Sequence, residues 1–446
     1  MDKYNSEWFD QDWLRFKFES LRRKDNFEPD AQKYQELLMR ANLDGARDFN
    51  LKVSEAMVET DSLAAMVMGE KPSRFYFRFG AKVLDALAER LVLAEAGYLL
   101  DEGINPMDHL DAVFFPSGMG AIYTLTEFMA ESIDDLDRAR LRVKLADEGV
   151  DERPLFVQGN VVYVNTNNVL GERMRNKVIA PSIKVDTTDL MKVGKVLKQL
   201  GDRCFGLYFE PLTNPDIRYT NTKSMALLGS SYQIPVIVDN TFLTPYLQQP
   251  FRMGADVVIH SLTKYGNGFG DMLAGAIIGP KALISAIKLW QYDSGNVTQS
   301  PDSAIKLYDR ISDMPSRMDT QAGNAKAIAN YLKGSEYVDK VHYPDLEDET
   351  RGGLAGAVIS FILAGQTLEE RTAKERALMQ YNIDHPGVIN HEVSLGDNVN
   401  LMIGENTLGF PNVDSNAGFV RFAVGRTPDA EKTIKFLEKA LTEVYK

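Results

Sequence analysis

From about residue 110 to about residue 280, short apolar runs alternate with segments whose apolar positions recur every three or four residues. "AVFFPSGMGAIYTLTEFM" reads as a strand, a Pro-Ser-Gly turn and a helix. "NVVYVN", "CFGLYFEP", "IPVIVDN", "ADVVIHS" and "AGAIIG" read as further strands, because they are short and rich in β-branched or aromatic residues. "DLMKVGKVLKQLG" and "TKSMALLGSSY" fall between them with helical spacing. Upstream, "KVLDALAERLVLAEAGYLL" from Lys82 to Leu100 is a predicted helix with Gly97 near its end. Alternation of this kind predicts a mostly parallel sheet covered by helices on both faces.

The pattern changes after Leu289, where "LWQYDSGNVTQSPDS" opens a polar connector expected to run to about Arg317. A long helix is predicted from about Asp319 to Leu332, followed by "KVHYPDL", the strand "GAVISFIL", the strand "GFVRFAVG" and the helix "DAEKTIKFLEKALTEVY". This is the pattern of a second, smaller α/β domain. The first 60 or so residues are charged, helical in character and without the glycine-rich turns of a sheet domain. The expected division is an N-terminal arm over 1–65, a large domain over 66–300 and a small domain over 301–446.

Composition narrows the functional classes. The net charge of −13 argues against a nucleic-acid partner, which needs a concentrated basic face. Cys204 is the single cysteine, so no intrachain disulfide can form and a reducing compartment fits. The first twenty residues lack a signal-type apolar run, and no stretch approaches the ~18 consecutive apolar residues of a membrane span. The expectation is a soluble cytoplasmic protein with no metal site.

Two residues then stand out. Asp239 and Lys264 lie at the ends of strand-like segments, and ligands of open α/β sheets sit beyond the carboxyl ends of strands. A lysine after a strand is most often a solvated surface residue. Lys264, however, follows Ser261 and Thr263 and precedes "YGNGFGD", whose glycines let the backbone approach a ligand. "SGMG" at Ser117–Gly120 opens a helix whose N–H groups can hold a phosphate, although such a turn by itself is more often a plain helix cap. A lysine amine, a carboxylate and a phosphate cradle are what pyridoxal phosphate (PLP) requires. Asn240 and Thr241 could cap the strand without a buried charge, which leaves Asp239 for the pyridinium nitrogen.

"VDNTFLTPYLQQPFRMGADVVIHSLTKYGNG" closely resembles the active-site segment of the Cys/Met-metabolism (transsulfuration) PLP enzymes, and the resemblance extends from about Tyr76 to the C-terminus. It implies a fold-type-I PLP-dependent enzyme, a homotetramer of dimers that share active sites, with the N-terminal arm serving the neighbouring subunit. By the resemblance Lys264 carries the cofactor and moves protons, Asp239 pairs with the ring nitrogen, and Ser261, Thr263, Gly118 and Met119 bind the phosphate. "YFRFG" resembles the family's Tyr-x-Arg motif, so Tyr76 and Arg78 would reach the neighbour's phosphate, with Tyr76 also helping at the leaving group. "FEPLTNP" resembles its Glu-x-Pro-x-Asn-Pro turn and would put Asn214 near the cofactor's 3′-oxygen. "EVSLGDNVNL" and "GFVRFAVG" would put Arg421 on the substrate carboxylate with Ser394 beside it. The implied activity is that of a lyase or transferase at the β- or γ-carbon of a sulfur amino acid or activated homoserine, cystathionine γ-synthase-like. The alternatives are a non-sulfur amino-acid substrate on the same fold and a non-catalytic oligomeric paralogue.

The chain departs from the family pattern in three places. Ala81, Lys82 and Val83 stand where Asn-Pro-Thr is usual. The family's Leu-Tyr-Gly-Gly-Thr segment, whose tyrosine stacks on the cofactor, should fall near "NTNNVLGER", which leaves Asn167, Asn168 and the nearby Tyr163 open for that role. A His-Pro after the Ser-Leu-Gly segment is replaced by "MIGENTLGFPNVDSN". These segments shape the substrate pocket, so they bear on substrate identity and leave the cofactor chemistry intact.

Overall fold

The computed structural model describes residues 80–131, 151–171, 179–294, 298–404 and 418–446, together with Trp13 and Lys17. Tyr76 and Arg78 lie outside the described residues, as does most of the expected 1–65 arm. The larger sheet has seven strands, β1 (Leu110–Phe115), β2 (Leu155–Gly159), β3 (Ile183–Val185), β4 (Cys204–Phe209), β5 (Val236–Asp239), β6 (Val257–His260) and β7 (Gly275–Pro280), in the spatial order β1-β7-β6-β5-β4-β2-β3. The five strands β2 to β6 pair in parallel, and β7 runs against both of its neighbours, β6 and β1. The chain is therefore α/β with a mostly parallel sheet. Every residue of β5, β6 and β7 is buried, which is why these strands read as unbroken apolar runs rather than as alternating ones.

The second sheet has five strands, β8 (Val338–His342), β9 (Val358–Leu363), β10 (Ile389–His391), β11 (Asn400–Gly404) and β12 (Phe419–Ala423), ordered β10-β11-β12-β9-β8. The helices Leu368–Asp384 and Ala430–Val444 pack together beside it. The latter buries Thr433, Leu437, Ala440 and Leu441, one stripe of an amphipathic helix, and Asp429 caps it by accepting from the Lys432 N–H at 2.9 Å.

Two elements differ from the sequence expectation. The strand expected at "NVVYVN" is instead the preceding run, Leu155–Gly159, and Val164–Leu170 is helical. Of two neighbouring apolar runs, the earlier is flanked by both β3 and β4, and the Asn160 N–H makes the last bond to the Val185 carbonyl at 2.8 Å before the chain turns. The polar connector expected up to Arg317 is largely helical. A helix covers Lys281–Asp293, and another runs 33 residues from Pro301 to Lys333 with Pro315 inside it. Its start is well made, since the Ser300 hydroxyl accepts from the Ser303 N–H and Pro301 occupies the first helical position. Its buried face, Ala304, Leu307, Tyr308, Ile311, Met314 and Met318, is masked in the sequence by the polar residues between.

This long helix packs on β8 and β9 of the second sheet and on the helix Lys82–Ala96, and its Arg317 is the largest fully buried side chain among the described residues. The Arg317 guanidinium donates to the Tyr265 carbonyl at 2.7 Å, to the Gly266 carbonyl at 3.3 Å and to the Arg310 carbonyl at 2.6 Å. Burial pulls its pKa down to about 10, which still leaves it charged at neutral pH. A Cβ at Gly268 would meet Arg317 Nη1 at 1.9 Å, so the turn after Lys264 closes around this guanidinium only with glycine there.

Trp13 and Lys17, one helical turn apart, pack on this chain's own large sheet. The Trp13 indole N–H donates to Asp256 Oδ1 at 3.1 Å, the ring meets Phe251 edge-on, and the Lys17 ammonium pairs with Asp256 Oδ2. The same oxygen accepts from the Val236 N–H at 2.8 Å at the start of β5. Both charges are buried, so removing one partner strands the other. Lys17→Met is expected to lower the unfolding free energy by roughly 3–5 kcal/mol. Urea denaturation would measure this; a loss under about 1 kcal/mol, the level of an exposed pair, would show that the anchor is not formed.

Candidate active site

A cavity of about 270 Å³ opens at the carboxyl ends of β4, β5 and β6, and the second sheet supplies its far wall. From the large sheet it is lined by Gly118, Met119, Tyr163, Glu210, Asn214, Asp239, Thr241, Ser261, Thr263 and Lys264, and from the other side by Val393, Ser394, Leu395 and Arg421. Nine of the residues singled out in the sequence are thus brought to one place, namely Lys264, Asp239, Ser261, Thr263, Gly118, Met119, Asn214, Arg421 and Ser394.

Asp239 ends β5 and is buried. Its Oδ1 accepts from the Thr241 N–H at 3.1 Å and the Thr241 hydroxyl at 2.5 Å, and its Oδ2 accepts from the Tyr208 hydroxyl at 3.0 Å. Burial raises its pKa, and the bonds from Thr241 and Tyr208 oppose that rise. The Thr241 hydroxyl also accepts from the Ser261 N–H at 2.8 Å, which ties the end of β5 to the turn after β6. Behind that turn His260 meets the buried Glu95 carboxylate at 2.5 Å, and burial raises the Glu95 pKa.

Lys264 donates from Nζ to the Ser394 hydroxyl at 3.0 Å, across the two sheets. Burial, with Arg421 adding repulsion, lowers its pKa to about 8. About a tenth of the amine is therefore neutral and nucleophilic at pH 7, against a far smaller fraction at the ordinary lysine value. Its backbone is hemmed in, since a Cβ at Gly396, where φ is +80°, would lie 2.5 Å from the Lys264 carbonyl carbon.

Arg421 lies on β12 and is buried. It donates to Asn214 Oδ1 at 3.1 Å, to the Val393 carbonyl at 2.6 Å and to the Ser394 carbonyl at 3.5 Å. Burial lowers its pKa to about 10. Asn214 is thus joined to the arginine, which the sequence did not foretell.

The phosphate-binding candidates are arranged unevenly. A Cβ at Gly118 would stand 2.6 Å from the Ser261 Cβ, so the two loops meet with room for glycine alone. The Ser117 hydroxyl accepts from the Gly120 N–H at 3.0 Å as a helix cap. The Thr263 hydroxyl donates to the Ala274 carbonyl at 3.1 Å and accepts from the Ala274 N–H at 2.9 Å, so its bonds stay within the turn.

Sequence reasoning assigned no role to Glu210 or Tyr208, and took Thr241 only as a strand-end cap. Glu210 was in view within "FEPLTNP", where only the asparagine was taken up. The structure buries it in the cavity wall, where Oε1 accepts from the Tyr163 N–H at 2.7 Å. Burial and the adjacent Asp239 raise its pKa well above the usual carboxylate range. Of the three residues left open for stacking, Tyr163 lines the cavity, whereas the Asn167 side chain accepts from Gln158 at 3.1 Å. A lysine amine of lowered pKa, a buried acid held as an acceptor and a glycine-floored loop are the donor set that PLP needs, so the residues present fit that cofactor.

Comparison with known proteins agrees. The family model described as Cys/Met metabolism PLP-dependent enzyme matches residues 59–425. L-methionine gamma-lyase of Pseudomonas putida is 28% identical over 310 residues, covering 68% of this chain and 69% of that protein. Cystathionine beta-lyase of Lactococcus lactis subsp. cremoris is 34% identical over 203 residues, 44% of this chain and about half, 53%, of the relative. The crystal structure of cystathionine gamma synthase from Xanthomonas oryzae pv. oryzae in complex with cystathionine superposes with a TM-score of 0.68 at 24% identity, covering 84% of this chain and 89% of that one, which shows a common fold. The chain belongs to the Cys/Met metabolism family of PLP-dependent enzymes.

Proposed function

We propose that this enzyme catalyses elimination or replacement at the γ- or β-carbon of a sulfur amino acid or an activated homoserine, with cystathionine γ-synthase-like replacement as the form the active-site motifs imply. The observation that carries the reading is the Lys264 amine, with its pKa lowered to about 8, facing one cavity with Asp239 and Arg421. PLP, when bound, supplies the electron sink for the pair left at the substrate Cα. Lys264 would attach the cofactor and then carry the proton between Cα and the neighbouring carbons. Asp239 would face the ring nitrogen, and Tyr163 would stack on the ring. Gly118, Met119, Ser261 and Thr263 would hold the phosphate, and Arg421, steadied by Asn214, would clamp the α-carboxylate with Ser394 beside it. Among the described residues no helix is long and apolar enough to cross a membrane. A cytoplasmic homotetramer belongs to the same proposal.

Activity against O-acyl-homoserines, cystathionine, methionine and cysteine, with thioether and α-keto acid products both followed, tests the reaction class. Turnover of at least one of these, lost in Lys264→Ala, is expected. Turnover of none, or turnover that survives Lys264→Ala, would overturn the assignment.

The Lys264 amine is expected to acetylate in the cofactor-free protein with a midpoint near pH 8 rather than at its ordinary 10.5. Below the midpoint the protonated amine is unreactive, so labelling falls about tenfold per pH unit. Competitive labelling read by mass spectrometry would follow it; a midpoint near the ordinary value would place the amine in water.

Tyr76 and Arg78 are proposed to serve the neighbouring subunit's site. Arg78→Ala and Lys264→Ala protomers, each inactive alone, should regain activity when dissociated and mixed, to at most about half per heterodimer, since one site then carries both lesions. Heterodimers without activity would assign Arg78 to its own chain's site.

A further inference from the structure

Tyr208 is a tyrosine at a position where the core needs only an apolar ring. It is fully buried, and its neighbours on β4, Leu207 and Phe209, are apolar. Pairing in register with Ile237 of β5, it shares a sheet face with Ile237 and, one pleat further, with Asp239. The ring spans that offset and sets its hydroxyl 3.0 Å from Asp239 Oδ2. A buried phenol with a single polar atom, directed at one carboxylate oxygen, is a device for holding that carboxylate.

The need for such a device follows from the surroundings. Two residues after Tyr208, Glu210 lines the same cavity beside Asp239, so two buried acids compete for one negative charge. Thr241 supplies both of its donors to Oδ1, and Tyr208 supplies the donor to Oδ2. With both oxygens engaged, the carboxylate plane is fixed and its charge favoured over that of Glu210. The phenol itself stays protonated, because burial and the two acids raise its pKa well above its usual value.

We propose that Tyr208 is a positioning residue that keeps Asp239 ionised and oriented toward the cofactor ring nitrogen. The inference rests on the role proposed for Asp239, and a double-mutant cycle separates the two. Asp239→Asn, Tyr208→Phe and the double variant are compared in kcat/KM, in PLP affinity by equilibrium titration and in the visible absorption of the bound cofactor. Thermal unfolding of the cofactor-free proteins serves as the control. Tyr208→Phe alone is expected to lower kcat/KM about 10- to 100-fold, the size of a lost hydrogen bond to a charged group, to weaken PLP binding and to shift the visible band. Added to Asp239→Asn, the same substitution should change kcat/KM by less than about threefold and leave the band in place, because coupled residues are not additive. Equal effects in both backgrounds, or a fall in thermal stability with affinity and spectrum unmoved, would reduce Tyr208 to a core residue and overturn the inference. Full activity in Asp239→Asn would instead overturn the role of Asp239 itself.

Discussion

An acid buried at the end of a central strand is the constraint around which this site is arranged. A carboxylate removed from water keeps its charge only if donors replace the solvent. The chain gives Asp239 three, two from Thr241 and one from Tyr208. Each has a further effect. Thr241 reaches on to the Ser261 N–H and so aligns the turn that leads to Lys264. Tyr208 occupies the core beneath the cavity, and burial together with Asp239 raises the pKa of Glu210, two residues on, well above the carboxylate range. The electrostatics of the pocket thus follow from one charge and the strand that bears it.

Much of the large sheet was legible because its strands are buried on both faces and leave unbroken apolar runs, as in "VIVD". The site was legible for a related reason. An acid ending such a run, or a lysine set among hydroxyls and glycines, is locally out of character, and motif resemblance tied those residues together. Legibility failed where two segments competed or a signal was diluted. Leu155–Gly159 and "NVVYVN" are equally apolar, and only the places beside β3 and β4 decide between them. Pro315 and the polar outer face hid half of the long helix, which its packing on β8, β9 and the helix Lys82–Ala96 stabilises. Spacing alone left Tyr163, Asn167 and Asn168 open, because which of them faces the cavity is set by packing and not by local sequence. Hydrogen bonds such as Arg421 to Asn214 join residues 207 positions apart, and no local pattern announces them.

The cavity is also a seam. Asp239 ends β5 and Lys264 follows β6 of the large sheet, while Ser394 follows β10 and Arg421 lies on β12 of the small one. The Lys264–Ser394 and Arg421–Asn214 bonds cross between them. A substrate carboxylate at Arg421 would bond to the small sheet and its Cα would face the large one, so reactive alignment depends on how the two bodies are set.

The fully buried Arg317 turns that setting into a mechanical property. Its guanidinium grips the carbonyls of Tyr265 and Gly266, directly after the lysine, from a helix that packs on β8 and β9 of the small sheet. Arg310 of the same helix adds bonds to Asn267 and Asp271, so the turn after Lys264 is fastened at more than one point. The turn after Lys264 and the sheet that carries Arg421 are thus both referenced to one helix, the turn through Arg310 and Arg317 and the sheet through β8 and β9.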